Sequence, residues 1–147
     1  MNPPQQEKLN EYIRDMHIPR TEGTFRLGAI IVQEAERGEV KNFLREKGER
    51  VLVLDNAIED VVLHEMVDAI EQERGVIIDV MEELSGRVYN QLSNLYHNRI
   101  EIQFDGEETR VIDPVPMGGF VILLLSDEQY RTMTSSFVLS SFCNLSL

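Results

Sequence analysis

The sequence predicts a three-layer α/β domain, a mainly parallel sheet flanked by helices on both faces, with an inserted β-hairpin. Three observations carry this expectation. Short apolar runs recur without alternation at residues 25–32, 51–54, 76–78 and 120–125, the pattern of strands covered on both faces. Segments with helical spacing separate these runs, and strands alternating with helices imply crossover connections and a parallel sheet. At 147 residues, 42% apolar and 27% charged, the chain suits one domain with an ordinary core and is not disordered.

Taken in order, Asn2-Pro3-Pro4 opens a helix, since Pro is pre-set for a first helical turn. Leu9, Tyr12, Ile13 and Met16 follow at helical spacing, and Pro19 to Gly23 ends the element. The first strand spans residues 25–32. Residues 36–47 read as a helix with Val40, Phe43 and Leu44 on one face and Gly48 as its stop. Val51-Leu52-Val53-Leu54 is a second strand, ending at Asp55. A long amphipathic helix carries Ile58, Val61, Val62, Met66, Ala69 and Ile70, and the third strand follows after Gly75.

Ser85 is the expected N-cap of a helix bearing Val88, Leu92, Leu95 and Tyr96. Alternation on both sides of Asp105-Gly106, from Ile100 to Ile112, predicts a β-hairpin. Pro114, Pro116, Gly118 and Gly119 mark a loop before the last apolar strand. The domain is expected over residues 1–131. From Thr132 to Leu147 the chain holds no charged residue. That tail reads either as a terminal helix or strand packed on the sheet, or as an exposed segment that needs a partner.

Fourteen Lys and Arg against 26 Asp and Glu give a formal charge of −12. The basic residues are scattered, so such a surface repels phosphate backbones and disfavours nucleic acid as a partner. The single Cys143 excludes an internal disulfide and fits a reducing compartment, so a cytoplasmic location is expected. No run approaches the roughly 18 apolar residues of a membrane span.

Chemistry centres on the third strand. Val76-Ile77-Ile78-Asp79 is an apolar run ending in an acid, where open α/β sheets place ligands. Behind it come the helix Val88-Tyr89-Asn90-Gln91-Leu92-Ser93-Asn94-Leu95, the Asp105-Gly106 turn, and a Pro-containing loop leading into residues 120–125. In this order the chain resembles the Walker-B-to-sensor-1 half of AAA+ ATPase cores, most nearly the midasin, MoxR and McrB-like branch. The resemblance implies a P-loop or Rossmann-like core, a metal-holding role for Asp79 and a sensor at Ser126.

The departures fall on the catalytic parts. A P-loop needs G-x-x-x-x-G-K-[ST], whose backbone N–H groups, Lys and hydroxyl cradle phosphates and magnesium. The first strand is instead followed by Gln33-Glu34-Ala35-Glu36-Arg37-Gly38. Val80 stands where the family has a water-polarising Glu; Glu82 and Glu83 lie near, on a different phase. Ser126 replaces the usual Asn, and Ser140-Ser141-Phe142 lacks the expected Arg finger. The resemblance therefore implies a degenerate core that does not hydrolyse ATP, with magnesium and ATP disfavoured as cofactors.

A second reading gathers Glu34, Asp55 and Asp79 around magnesium, because oxygen ligands at one sheet edge suit that ion. It would make the chain a magnesium-dependent phosphotransfer or nuclease enzyme similar to the Toprim fold, although Met81 stands where that fold has a second Asp. Asp60, His64 and Asp68 share a helical face and read as a solvated stripe. The favoured expectation is a non-catalytic protein-interaction or assembly module. Its partner would be another protein or a second copy, met by the hairpin (Ile100, Phe104, Ile112) and the tail (Phe137, Phe142).

Overall fold

The computed structural model describes residues 1–133 and 137–147. In chain order its elements begin α1 (Pro3–Met16), β1 (Arg26–Val32), α2 (Arg37–Glu46), β2 (Val51–Leu54), α3 (Glu59–Glu71), β3 (Gly75–Val80) and α4 (Gly86–Tyr96). They continue as β4 (Ile100–Ile102), β5 (Arg110–Ile112), β6 (Phe120–Ser126), α5 (Asp127–Met133), α6 (Phe137–Ser140) and β7 (Cys143–Ser146). Short 3₁₀ turns at Glu34–Glu36 and Asn56–Ile58 lead into α2 and α3.

Local chemistry fixes the helix ends. Asn2 and Gln5 form a capping box at α1, with Pro in the first turn, so two orphan N–H groups are satisfied reciprocally. Ser85 Oγ accepts from Val88 N at 3.2 Å and caps α4. Gly48, at φ +86°, ends α2 in a left-handed conformation, and Glu49 N donates back to Leu44 O, the Schellman pattern.

Five strands pair in parallel in the order β2–β3–β6–β1–β7. Leu9, Ile13 and Met16 of α1 and Val40 and Leu44 of α2 cover one face, over Ile30, Ile77, Ile122 and Leu124. Helices α3 and α4, the hairpin and the α5–α6 region cover the other, over Ile31, Ile78, Leu123 and Leu125. Three layers result, with both faces of the sheet buried. The connection through α2 runs from β1 toward the β2 edge over one face, and later connections return over the other. Reversing direction on opposite faces keeps every crossover the same hand.

The antiparallel hairpin is present, with Ile100 opposite Ile112, but its strands are short and residues 103–109 join them. The polar stripe of α3 is not free in solvent. Asp60 pairs with Arg87 of α4, while Arg110 meets Asp68 at 3.0 Å and Glu71 at 2.7 Å. The Glu71 hydrogen bond leads the factors that raise the Arg110 pKa, against partial burial. His64 stacks on the Phe104 ring, with centroids 3.5 Å apart. The stripe is thus the seat of the hairpin.

Two expectations about contact surfaces change as a result. Ile100, Phe104 and Phe142 are buried core residues, and Ile112 packs against the same core. They hold the fold together. The side chain of Phe137 lies outside the described residues. The segment read as a tail supplies Leu139 and Phe142 to the core and β7 to the sheet edge, where Leu145 pairs with Ile30. There Tyr12 Oη donates to Cys143 O at 2.6 Å, and burial pushes the phenol pKa up.

Close packing explains the glycines at the amino edge. A Cβ on Gly75 would lie 2.0 Å from the Phe120 ring, and one on Gly119 would lie 2.4 Å from Arg74 O. Backbone cannot move aside as a side chain does, so Gly119→Ala is expected to destabilise by about 1–3 kcal/mol. Gly38, inside α2 with open space around it, gives the opposite sign: Gly38→Ala gains about 0.5–1 kcal/mol from helix propensity. Urea unfolding of both variants checks the contrast.

Candidate functional site

All five strand ends that follow the parallel direction point to one edge. Strands β1 and β6 lie side by side there, while their outgoing connections leave over opposite faces, toward β2 and β7. That divergence opens the crevice in which α/β sheets bind ligands. Here the crevice is filled by the chain itself.

The filler is Arg37, in the first turn of α2 and 5% exposed. Its Nη1 donates to Asp79 Oδ1 at 2.6 Å, to Leu124 O at 3.1 Å and to Val80 O at 3.4 Å. Nη2 reaches Gln129 Oε1 at 2.5 Å and Glu34 Oε2 at 3.2 Å, and Nε reaches the same Glu34 oxygen at 3.4 Å. A guanidinium presents five N–H donors in a fixed fork, and this crevice meets them with oxygens from β3, β6, α5 and the 3₁₀ turn after β1. Lys41, one turn further along α2, places Nζ 2.9 Å from Asp79 Oδ2. That contact is ionic without hydrogen-bond geometry, since Oδ2 has no hydrogen-bond partner.

Asp79 itself is fully buried. The strand runs on to Val80, one residue past the acid, so alternation turns Asp79 onto the α2 face with Ile77. It does not project over the edge, as an acid at the end of the run would. Arg37 and Lys41 against Asp79 and Glu34 balance two positive charges with two negative ones. Taking Arg37 and Asp79 out of water costs several kcal/mol per ion, and only close pairing and further hydrogen bonds offset it. The oxygens around Arg37 supply those bonds.

Gln129 ties the network to α5. Its Oε1 accepts from Ser126 N at 2.8 Å, Ser126 Oγ accepts from Gln129 N at 3.1 Å, and Gln129 Nε2 donates to Val80 O at 2.7 Å. The first two bonds form a capping box, written in the sequence as Ser126-Asp127-Glu128-Gln129. Ser126, the expected sensor, therefore has its hydroxyl engaged as a helix cap.

The remaining candidates stand apart. Asp55 Oδ1 accepts from Ala57 N at 2.8 Å and Ile58 N at 3.2 Å, capping the 3₁₀ turn before α3. Glu34 is exposed apart from its Arg37 contacts. Glu82 and Glu83 are exposed in the loop after β3. Burial foremost, and then the Glu83 charge, raise the Tyr89 pKa. Among the described residues no three His, Cys, Asp or Glu side chains gather as metal ligands, so Glu34, Asp55 and Asp79 are not brought together as the alternative magnesium reading requires. A shallow cavity of about 190 Å³, lined by Glu83, Glu128, Gln129, Thr132 and Met133, adjoins the network. The larger hollow of about 400 Å³ near His17, Glu49 and Arg74 lies at the opposite edge and shares none of this chemistry.

Sequence reasoning singled out Asp79 and missed Arg37, Lys41 and Gln129. The spacing Arg37–Lys41 puts two cations on one helical face, and that was the available signal. The same α2 face carries the apolar Val40 and Leu44, which hides it. No helix among the described residues is long and apolar enough to cross a membrane. No protein-family model matches the chain, and no curated protein matches it.

The geometry yields a stability expectation. Asp79→Asn leaves Arg37 buried without its counter-charge and should cost about 3–5 kcal/mol. Ser126→Ala removes only a cap and should cost about 1 kcal/mol. Chemical unfolding of the two variants reads the difference.

Proposed function

We propose that the chain is a non-catalytic protein-interaction or assembly module built on a degenerate nucleotide-binding-like core, a pseudo-ATPase. One observation carries the reading: the carboxylate that would hold a metal is fully buried and bonded to Arg37. An AAA+-like site needs that carboxylate to face magnesium and the loop after β1 to receive phosphates. In this chain the loop carries Glu34 and Glu36, which repel a triphosphate, and the space at Asp79 already holds a guanidinium. The position of β6 between β1 and β3 also supports descent from such a core, since it sets Ser126 of β6 and Asp79 of β3 on neighbouring strands beside the end of β1.

The magnesium-dependent alternative draws no comparable support. Asp55 is spent on a cap and Asp79 on an ion pair. As an interaction module, the chain would meet another protein or a second copy in a reducing cytoplasm, where the exposed Cys143 stays a thiol. The hairpin offers Val111, 53% exposed, and the β7 edge offers Asn144 and Ser146. Truncation at 131 cannot map such a surface, because it also removes Leu139 and Phe142 from the core; single charge substitutions at Val111 and Asn144 can.

Calorimetry with ATP and ADP, with and without magnesium, tests the non-catalytic part. The expected result is no binding heat at millimolar nucleotide. Micromolar, magnesium-dependent binding would contradict it and return Asp79 to a catalytic role.

A further inference from the structure

We infer that the chain pairs with a second copy of itself through β7, antiparallel across a two-fold axis at Leu145, so that the two sheets become one. This rests on the reading of the chain as an interaction module and names its partner. The five-stranded sheet has two edges, β2 and β7. Proteins guard exposed edges with charge, because unpaired N–H and C=O groups are a template for association. Edge β2 follows that rule, with Glu49 and Arg50 before it and Asp55 after it. Edge β7 does not. No charged residue stands between Thr132 and Leu147, and Cys143, Asn144 and Ser146 are exposed.

Charge selects the occupant. Two copies of a chain carrying −12 repel each other over most of their surface, and the uncharged β7 edge lets them meet without bringing like charges together. Pairing β7 with β2 of the next copy would instead leave free edges and grow a fibre, and the charges around β2 guard against it.

Backbone parity fixes the register. In a parallel ladder one residue turns both its N–H and its C=O to the neighbouring strand, and the next turns both away. Leu147 N donates to Ile31 O and Leu145 lies opposite Ile30, so Cys143, Leu145 and Leu147 face β1. Asn144 and Ser146 therefore direct N–H and C=O outward. In an antiparallel pair, residues that face the partner must stand opposite each other. An axis at Leu145 sets Asn144 against Ser146 of the second copy and Ser146 against its Asn144. Each pair exchanges two N–H···O bonds, and every outward group of β7 is satisfied. An axis at Asn144 or Ser146 pairs that residue with itself and leaves the other unmatched within β7. Leu145 then meets its copy at a non-hydrogen-bonded position, with Cα atoms about 4.5 Å apart. Its side chain packs partly against the α1 and α2 cluster, and the second copy covers more of it.

Sedimentation of the full chain at high micromolar concentration tests the pairing. Wild type should run at twice the chain mass. Ser146→Pro removes an outward N–H that serves no bond within the chain, and should raise the dissociation constant roughly tenfold or more with an unchanged far-ultraviolet spectrum. Leu145→Cys in a Cys143→Ser background should cross-link across the axis under copper–phenanthroline oxidation, since its Cα separation is within disulfide reach. Wild-type Cys143, which stands opposite Leu147 of the second copy, should not. If Ser146→Pro does not fold, the cross-link is the readout. A wild-type monomer overturns the inference and leaves the interaction reading to a different protein partner. A dimer that lacks the cross-link, or that a folded Ser146→Pro leaves intact, overturns it too, because the copies then meet elsewhere or in another register. Nucleotide binding would defeat the pseudo-ATPase reading while leaving the sedimentation result standing.

Discussion

Burying Arg37 against Asp79 removes two charges from water, and the arrangement of the sheet's carboxyl edge follows from the need to offset that cost. The guanidinium must be met by acceptors on every side, so β3 offers Asp79 and Val80, β6 offers Leu124, and α5 offers Gln129. Gln129 reaches this position because Ser126, the last residue of β6, caps α5. Lys41 can stand behind Asp79 because α2 packs Val40 and Leu44 onto the same face. One ion pair therefore fixes the start of α2, the end of β6 and the direction of α5 together. The same contacts fill the crevice with the chain's own side chains.

The layers were legible in the sequence because their signals are local. Continuous apolar runs, Gly48 as a stop and Ser85 as a cap each specify an element without reference to distant residues, and the elements formed where those signals stand. The strand order is set by which faces the helices cover, a property of the whole sheet, and only the parallel pairing could be anticipated. Asp79 stood out as a lone acid in an apolar run. Its partners did not, since Arg37 and Lys41 lie 42 and 38 positions away in the chain (79 − 37 and 79 − 41), and pairing at that distance is decided by packing.

The packing of the hairpin and the tail was less legible for a related reason. Hydrophobic residues in a hairpin or an uncharged tail look unpartnered when only neighbours in sequence are considered. In the fold, α3 presents Asp68 and Glu71 to Arg110 and His64 to Phe104. That polar stripe draws the hairpin down so that Ile100 and Phe104 enter the core. The uncharged segment, likewise, buries Leu139 and Phe142 and lays β7 against β1. Solvated stripe and sticky hairpin were two halves of one interface within the chain.

The measurement that bears most directly on this account is a double-mutant cycle of Arg37→Met and Asp79→Leu by urea unfolding. If the pair is the keystone of a closed crevice, each single variant is strongly destabilised. The double variant, in which neither Arg37 nor Asp79 is left buried without the other, should then be more stable than the two losses summed, by about 2 kcal/mol or more. Losses that add within about 0.5 kcal/mol would mean the two residues act independently, and the crevice would have to be closed by something other than their pairing.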